Sequence, residues 1–364
     1  MTADVDTHTI RAAVLRKRGG PLKIETLELE GPRDDEVLVR IVAGGICHTD
    51  IAVADGEYGP ADPVVLGHEG AGVVEQAGGK VKGFRRGDHV VLSYHSCGRC
   101  RECRRGRPAG CELLWEANFE ALRLDGSNAL HRSGVRGHFF HQSSFATRSL
   151  ATARNLVKVR KDLPLHLLAP LGCGLQTGAG TVMNSLKVRK GQSVAIFGTG
   201  AVGLAAVMAA RIAGARPIIG VDIRPPRLAL ASELGATHVI DGRREDVAAA
   251  IARITGAGVQ FALEITGAPG MEEVAARALK PGGIVALVAG PDGGSLPGGR
   301  RSVGIIQGDA VSQRFIPKMI ALYRSGRFPF DRLVRFYPFR QINRAIADAR
   351  RGRTVKPVLR MDDA

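Results

Sequence analysis

Six cysteines and one histidine are the residues of this 364-residue chain best equipped for chemistry. Four of the cysteines, Cys97, Cys100, Cys103 and Cys111, form a C-x2-C-x2-C-x7-C run within 15 residues. Four thiolates have the type and number of ligands that close a tetrahedral zinc shell and leave no position for water or substrate. Gly98, Gly106 and Gly110 supply the tight turns that such wrapping needs. A zinc held this way would brace a lobe over residues 93–115 and do no reaction chemistry. An iron–sulfur cluster or four uncoordinated thiols are the alternatives. A nucleic-acid zinc ribbon, built on two separated C-x2-C pairs, does not match the spacing.

Cys47 in GICHTD, His68 in GHEGAG and Cys173 in PLGCGLQTG complete the set. Two thiols and one imidazole have the composition of a zinc site with one open position. They lie in three separate segments, so spacing alone does not bring them together, and taken singly a cysteine or histidine is more often a core residue. Their settings favour a site. Asp50 and Glu69 place acids beside two of the three, where they can orient a ligand imidazole or tune a metal. Cys173 stands where the chain crosses toward a second domain.

That second domain is signalled by Gly198-Thr-Gly200-Ala-Val202-Gly203, a G-x-G-x-x-G turn. It follows an apolar strand, SVAIF, and opens an alanine-rich helix, and Asp222 ends the next strand 24 positions after Gly198. In this context the turn predicts a dinucleotide site. Gly198 permits the tight turn, Gly200 lets amides approach a pyrophosphate, and Gly203 allows close helix packing. The helix N-terminus presents free N–H groups and partial positive charge to the phosphates. Asp222 can accept the ribose hydroxyls and repel a 2′-phosphate, which predicts NAD over NADP; Arg224 and Arg227 lie close by.

The elements that must position these groups fall into two classes. EVLVRIVAGGI, VVLGHEGAGVVEQAG and GDHVVLS read as strands of an irregular, mainly β domain whose loops present side chains. From about Gln192, strands alternate with helices: SVAIF, PIIGVD, THVID, VQFALEIT, GIVALVA and RSVGII, with helices near 244–254 and 270–279. Six strands with intervening helices predict a doubly wound parallel α/β sheet, with PDGGSLPGG as a loop before the last strand. The predicted division is 1–172 with 307–364 for the β-rich catalytic domain and 173–306 for the dinucleotide domain. Hydrophobic residues are 45% and charged residues 24%, ordinary for a folded chain, and no run is long enough for a membrane span. The acidic start, MTADVD, is unlike a secretory signal, so a cytoplasmic, reducing location is expected, where clustered cysteines hold metal. The net charge of +16 raises a nucleic-acid partner, but the arginines are dispersed in pairs without a nucleic-acid motif, so neither nucleic acid nor membrane is expected.

Across almost its whole length the chain resembles the zinc-dependent medium-chain alcohol dehydrogenase family, through G-H-E-x2-G at 67–72, the four-cysteine lobe, Cys173, and the glycine turn with Asp222. Within it, GICHTD, DGSNAL, GHFFHQSSFAT, PLGCGLQTGAGTVMN and FIPKMIALYRSGRFPFDRLVRFY look most like bacterial aryl-alcohol dehydrogenases. The resemblance implies a GroES-like catalytic domain beside a Rossmann domain. It also implies NAD and two zinc ions per chain, a small alcohol or aldehyde as substrate, and a homodimer or homotetramer. Cys47, His68 and Cys173 would ligate the reactive zinc, with the alcohol oxygen in the fourth position and Glu69 behind the metal. Thr49 would hydrogen-bond the substrate oxygen. His48 and Lys356 would face the pyrophosphate, Arg227 would lie at the cofactor, and Val288 would meet the nicotinamide amide. In one respect the chain departs from the pattern: Ala52 stands where many animal liver members carry a relay histidine.

The expected reaction is reversible oxidation of a primary aromatic or allylic alcohol, with Trp115, Phe139 and Phe140 as an apolar pocket. A glutathione-dependent formaldehyde dehydrogenase or a polyol dehydrogenase is the alternative within the family. A non-catalytic zinc- and nucleotide-binding regulator of nucleic acid is the alternative outside it, opposed by the intact open metal set.

Overall fold

β-Branched and apolar residues recur through the first third of the chain, and strands form there. The computed structural model describes residues 6–130, 133–288, 290 and 293–363. Its first strands are β1 (Thr7–Leu15), β2 (Leu22–Glu30), β3 (Glu36–Gly45), β4 (Val64–Val65), β5 (Gly70–Ala77), β6 (His89–Leu92), β7 (Arg148–Thr152) and β8 (Leu156–Val159). The parallel-sheet segment follows as β9 (Val194–Phe197), β10 (Ile218–Asp222), β11 (His238–Asp241), β12 (Val259–Glu264), β13 (Leu279–Val288), β14 (Ser295–Leu296) and β15 (Arg300–Ile305). Two more, β16 (Val334–Pro338) and β17 (Lys356–Arg360), close the chain.

The chain divides into two units, Met1–Cys173 with Val311–Pro317 and Asp331–Ala364, and Gly174–Ala310 with Lys318–Phe330. In the first, a seven-stranded sheet runs β16-β17-β3-β5-β6-β8 with β7 also on β3, and a three-stranded sheet runs β2-β1-β4. The register decides which residues meet. Gly44 in β3 pairs with Gly70 in β5, and Val358 in β17 pairs with Gly45. The end of β3 therefore delivers Cys47 beside the segment that enters β5, which carries His68 and Glu69, and beside Lys356 at the start of β17. Gly45 has to be glycine, since a Cβ there would lie 2.1 Å from Glu69 Oε2. Gly67 has a φ of 95°, and a Cβ on it would come within 2.5 Å of the Phe145 amide nitrogen.

In the second unit the sheet order is β11-β10-β9-β12-β13-β15-β14, six parallel strands with one antiparallel addition. The mixed architecture is the expected one, a doubly wound sheet beside a mainly β unit. Several details differ from the sequence reading, among them Cys173, which groups with the first unit, and 307–310, which group with the second. Ser295–Leu296, read as loop, adds a two-residue edge strand by pairing with Arg301 and Arg300. Lys318–Phe330, expected with the catalytic unit, groups with the second: Phe328 and Phe330 are fully buried, and Tyr323 packs 4.7 Å from Phe330, so the segment has a core of its own. The helices end as glycine dictates, Gly214 and Gly235 both taking positive φ at the C-caps of Ala201–Ala213 and Pro225–Leu234.

A buried polar cluster sits in the first unit. Arg123 donates from Nε to Glu36 Oε1 at 2.6 Å, from a terminal nitrogen to Glu36 Oε2 at 3.0 Å, and to Glu30 at 3.0 Å. Ligand-type atoms of Glu36, His138 and His141 lie within 4.8 Å of one another. They do not suit a metal. Both Glu36 oxygens already accept from Arg123, and the Ala129 amide donates to His138 Nε2 at 3.2 Å, which fixes the proton of the neutral ring on Nδ1. Burial keeps His138 neutral and, against the pull of the Glu36 charge, pushes His141 down to about 4 from its usual 6.5. The unfolded chain thus binds a proton below 6.5 that the folded chain refuses, so stability is full above 6.5 and falls as pH drops toward 4. Over that interval His141 should remove about 3 kcal/mol. Urea unfolding at pH 7.0, 5.5 and 4.5 should show this loss, and His141→Phe should lessen the dependence while His138 keeps its share.

Candidate active site

Cys47, His68, Glu69 and Cys173 bring one ligand atom each to within 4.8 Å of one another, all in the first unit. The sequence reading had Cys47, His68 and Cys173 in separate segments; the β3–β5 register brings Cys47 to His68, and the Ala169–Gly172 turn, whose Gly172 carbonyl accepts from Ser93 Oγ at 2.6 Å, delivers Cys173. Cys47 caps the helix His48–Asp55, and Asp50 in its first turn accepts from the Cys47 amide at 2.9 Å. The other Asp50 oxygen takes the Gly67 amide at 3.1 Å and His68 Nδ1 at 2.9 Å. With Nδ1 turned to the carboxylate, His68 Nε2 is left buried and without a hydrogen-bond partner. An orphaned imidazole nitrogen beside two thiols fits a zinc ion, which would take Nε2 and both sulfurs.

In the metal-free group the buried charges pair with one another. Burial opposes charge on His68, but the Asp50 charge and hydrogen bond, with Cys47, raise its pKa to about 10. The Cys47 thiol is held well below its usual value, by Cys173 first and then His68, against the effect of burial. Glu69 is pushed up by burial, with Lys356 acting the other way.

The ammonium of Lys356, expected at the cofactor pyrophosphate, donates to both Glu69 oxygens at 2.9 Å and to the Ile46 carbonyl at 3.1 Å, and so holds Glu69.

Aromatic rings surround the imidazole. Phe140 stacks on His68 at 4.4 Å, and Phe139 meets it edge-on at 5.8 Å. Phe119 contacts Phe140 at 5.0 Å and stacks on Trp115 at 4.6 Å; Tyr58 meets Trp115 at 6.4 Å and Phe119 at 5.9 Å. Phe139 is fully buried and serves as core behind the row, whereas Trp115 is half exposed. Tyr58 and Phe119 were missed by the sequence reading. Trp115 and Phe119 are four apart on one short helix, Leu114–Phe119, so their shared face was a readable signal. Tyr58 in a glycine-rich turn offered none.

The loop carrying Phe139 and Phe140 is strained, with positive φ at Phe140, His141 and Ser143. Its hydrogen bonds hold it there. Ser143 Oγ accepts from the Phe139 amide at 2.8 Å and donates to the Val65 carbonyl at 2.6 Å. Gln142 donates to the His68 and Ser93 carbonyls and accepts from the Gly70 amide. The side chains flanking His68 and its backbone are thus clamped by one loop. Thr49 Oγ1 lies 4.0 Å from Cys47 Sγ, and His48 is exposed at the helix start.

The four-cysteine group also converges within 4.8 Å. Backbone amides point at its sulfurs: Cys97 to Cys111 at 3.3 Å, Cys100 to Cys97 at 3.4 Å, and Cys103 to Cys100 at 3.5 Å. Amides of Cys103 and Glu112 pull the Cys100 thiol down to about 6, while burial pushes Cys111 up to about 12. Sulfurs so close cannot all ionise without a cation among them, and the donor set is compatible with a zinc ion.

In the second unit Gly198 has a φ of 93°, and a Cβ at Gly203 would lie 1.9 Å from the Gly198 carbonyl, while Gly200 faces open space apart from Arg227 at 3.8 Å. Val202 lies in the first helical turn and Val288 at the end of β13. Asp222 accepts from the Thr199 amide and hydroxyl and from the Ile223 and Arg224 amides, all at 2.8–3.0 Å. Arg227 stands 3.9 Å from it with Nε buried and unpartnered.

Replacing Asp50 by Asn removes the charge that orients His68 while keeping the shape. Zinc affinity of the Cys47/His68/Cys173 group should fall about 10–100-fold, read by chelator competition, with the four-cysteine group unaffected.

Residues 33–161 match the alcohol dehydrogenase GroES-like domain family and residues 201–315 the zinc-binding dehydrogenase family. A geraniol dehydrogenase of Castellaniella defragrans is 46% identical, covering 97% of this chain and 98% of that one. The crystal structure of benzyl alcohol dehydrogenase from Acinetobacter calcoaceticus superposes with a TM-score of 0.93 at 46% identity, over 97% and 99% of the two chains. That of an alcohol dehydrogenase zinc-binding domain protein from Burkholderia ambifaria also scores 0.93, at 52% identity over 98% and 99%. Agreement over nearly the whole chain, together with the buried Cys/His/Cys set, makes this protein a member of the zinc-dependent medium-chain alcohol dehydrogenase family and an enzyme of that class.

Proposed function

We propose that the chain oxidises a primary aromatic or allylic alcohol to the aldehyde, reversibly, with NAD as hydride acceptor. The observation that carries this reading is the row Phe140–Phe119–Trp115, which starts on the ring of the orphaned His68. A flat, unsaturated substrate has rings to pack against beside the metal position. The geraniol and benzyl alcohol specificities of two relatives point the same way.

Cys47, His68 and Cys173 would hold one zinc, and Cys97, Cys100, Cys103 and Cys111 a second. Zinc, when bound, supplies a Lewis acid that eases loss of the substrate hydroxyl proton. Asp50 fixes the imidazole, and Lys356 keeps Glu69 in place behind the ligand atoms. Thr49 would take the hydrogen bond of the substrate hydroxyl. In the other unit the Gly198–Gly203 turn would receive the pyrophosphate, with His48 as a further contact, and Val288 would meet the nicotinamide amide. Asp222 would accept the ribose hydroxyls with Arg227 beside it, and its negative charge favours NAD over NADP. Cytoplasmic location and a homodimer or homotetramer belong to the same reading.

An initial-rate screen of benzyl alcohol, geraniol, ethanol and sorbitol with NAD and NADP, read by absorbance of the reduced cofactor, tests it. Benzyl alcohol or geraniol with NAD should give the highest kcat/KM. Preference for sorbitol, or for formaldehyde with glutathione, would sink the substrate assignment. Two zinc ions per chain are expected by elemental analysis, falling to one in Cys103→Ser; one in the active wild type would remove the second site.

A further inference from the structure

Away from the Cys47/His68/Cys173 group the first unit contains a cavity of about 310 Å³ that no step of the proposed reaction uses. Ser96 and Cys103 line it from the four-cysteine lobe and Arg154 from the turn after β7. Ser312, Gln313 and Arg314 line it from the start of the helix Ser312–Arg324.

Its charge is one-sided. Two guanidinium groups line the cavity, and among the described residues no carboxylate does. Neither Arg154 nor Arg314 has an ion-pair partner among the described residues. Residues 97–112 add Arg99, Arg101, Arg104, Arg105 and Arg107 against Glu102 and Glu112. Seven arginines, less two glutamates and the two negative charges of a closed zinc–tetrathiolate shell, leave about three positive charges in excess. A metal in the lobe therefore does not account for them. A concave surface lined by one sign of charge concentrates the opposite ion. The positive end of the helix Ser312–Arg324 at the same wall adds to the two guanidinium charges.

The donors are held in place by the fold. Arg154 donates from Nε to the Ser96 carbonyl at 2.8 Å and from a terminal nitrogen to Ser96 Oγ at 2.9 Å, which leaves three of its five N–H groups for a ligand. Gly98, with a φ of 75°, gives that guanidinium its space, since a Cβ there would lie 2.7 Å from Arg154 Cζ. Gln313 donates to the Arg154 carbonyl at 2.5 Å and ties the helix start to the same turn. Ser312 Oγ lies 3.0 Å from Ser93 Oγ, which donates to the Gly172 carbonyl at 2.6 Å, so the helix start is anchored in the interior. Donors fixed before binding lose little freedom when a ligand arrives.

We propose that this cavity binds the phosphate group of a small anion, as the free ion or a monoester, between Arg154 and Arg314. Guanidinium forks brought from two segments suit tetrahedral oxygens that do not share one plane. The volume exceeds that of one phosphate and leaves room for a small organic group. The Gly198–Gly203 turn belongs to the second unit and has its own arginine, Arg227, so the two sites separate by substitution.

Isothermal titration calorimetry of the full-length, zinc-loaded protein with sodium phosphate, in about 0.15 M potassium chloride, tests the site. A Kd of about 1 mM or tighter is expected. Arg314→Gln changes an exposed side chain and should weaken binding about tenfold or more, with zinc content and melting temperature as in the wild type. Arg154→Gln should weaken it as much, and Arg227→Gln should leave it in place. Acetate should not bind at the same concentrations. Glycerol 3-phosphate binding tighter than phosphate assigns a monoester as the occupant; the reverse order assigns the free ion. The site is overturned if phosphate does not saturate below about 10 mM, if acetate matches it, if binding survives Arg314→Gln unchanged, or if Arg227→Gln abolishes it.

Discussion

Both oxygens of the Asp50 carboxylate are committed inside the first unit, one to His68 Nδ1 and the Gly67 amide, the other to the Cys47 amide. A single buried charge thereby joins the segment after β3 to the segment before β5 and chooses the tautomer of the imidazole. With Nδ1 bonded to Asp50, Nε2 is the ring nitrogen left to join the two thiols as a ligand. Without that bond the ring could turn, and the ligand set would lose its only nitrogen. The positions of Cys47, His68 and the rings packed on His68 all follow from it.

A second layer holds the first. Glu69, next to His68 in sequence, is neutralised by Lys356 from the opposite end of the chain, and Gly45 leaves room for the pair by having no side chain. An acid this deep is tolerable only with its cation and hydrogen bonds in place. The strained loop with Phe139, Phe140 and Gln142 grips the other side, stacking one ring on His68 and bonding its backbone. Rigid support around a metal ligand set is what a reaction needing a fixed open position demands.

Much of this was readable in the residues. The alternation of strand and helix after Gln192 produced the six parallel strands, since buried parallel strands need apolar runs and crossovers between them. The glycine turn read correctly in its backbone demands: Gly198 takes positive φ and Gly203 has no room for a Cβ. The edge strand Ser295–Leu296 was not readable, because two residues between Gly294 and Pro297 carry no periodicity. Nor was the allegiance of Lys318–Phe330, which depends on where Phe328 and Phe330 find a core.

The residue types by themselves determined the donors: four thiols for a closed shell, two thiols and an imidazole for an open one, an acid at the end of β10. Such chemistry belongs to the side chains and survives any arrangement that brings them together. Only the tertiary structure decided the partners. Lys356 pairs with Glu69, and Phe119 and, through it, Tyr58 join the rings packed on His68, although nothing local marks Lys356 or Tyr58 for these contacts. Each of those contacts joins segments far apart in the chain. Strand register and the clamped 139–143 loop bring such segments together, and neither can be read from the spacing of residues along one segment.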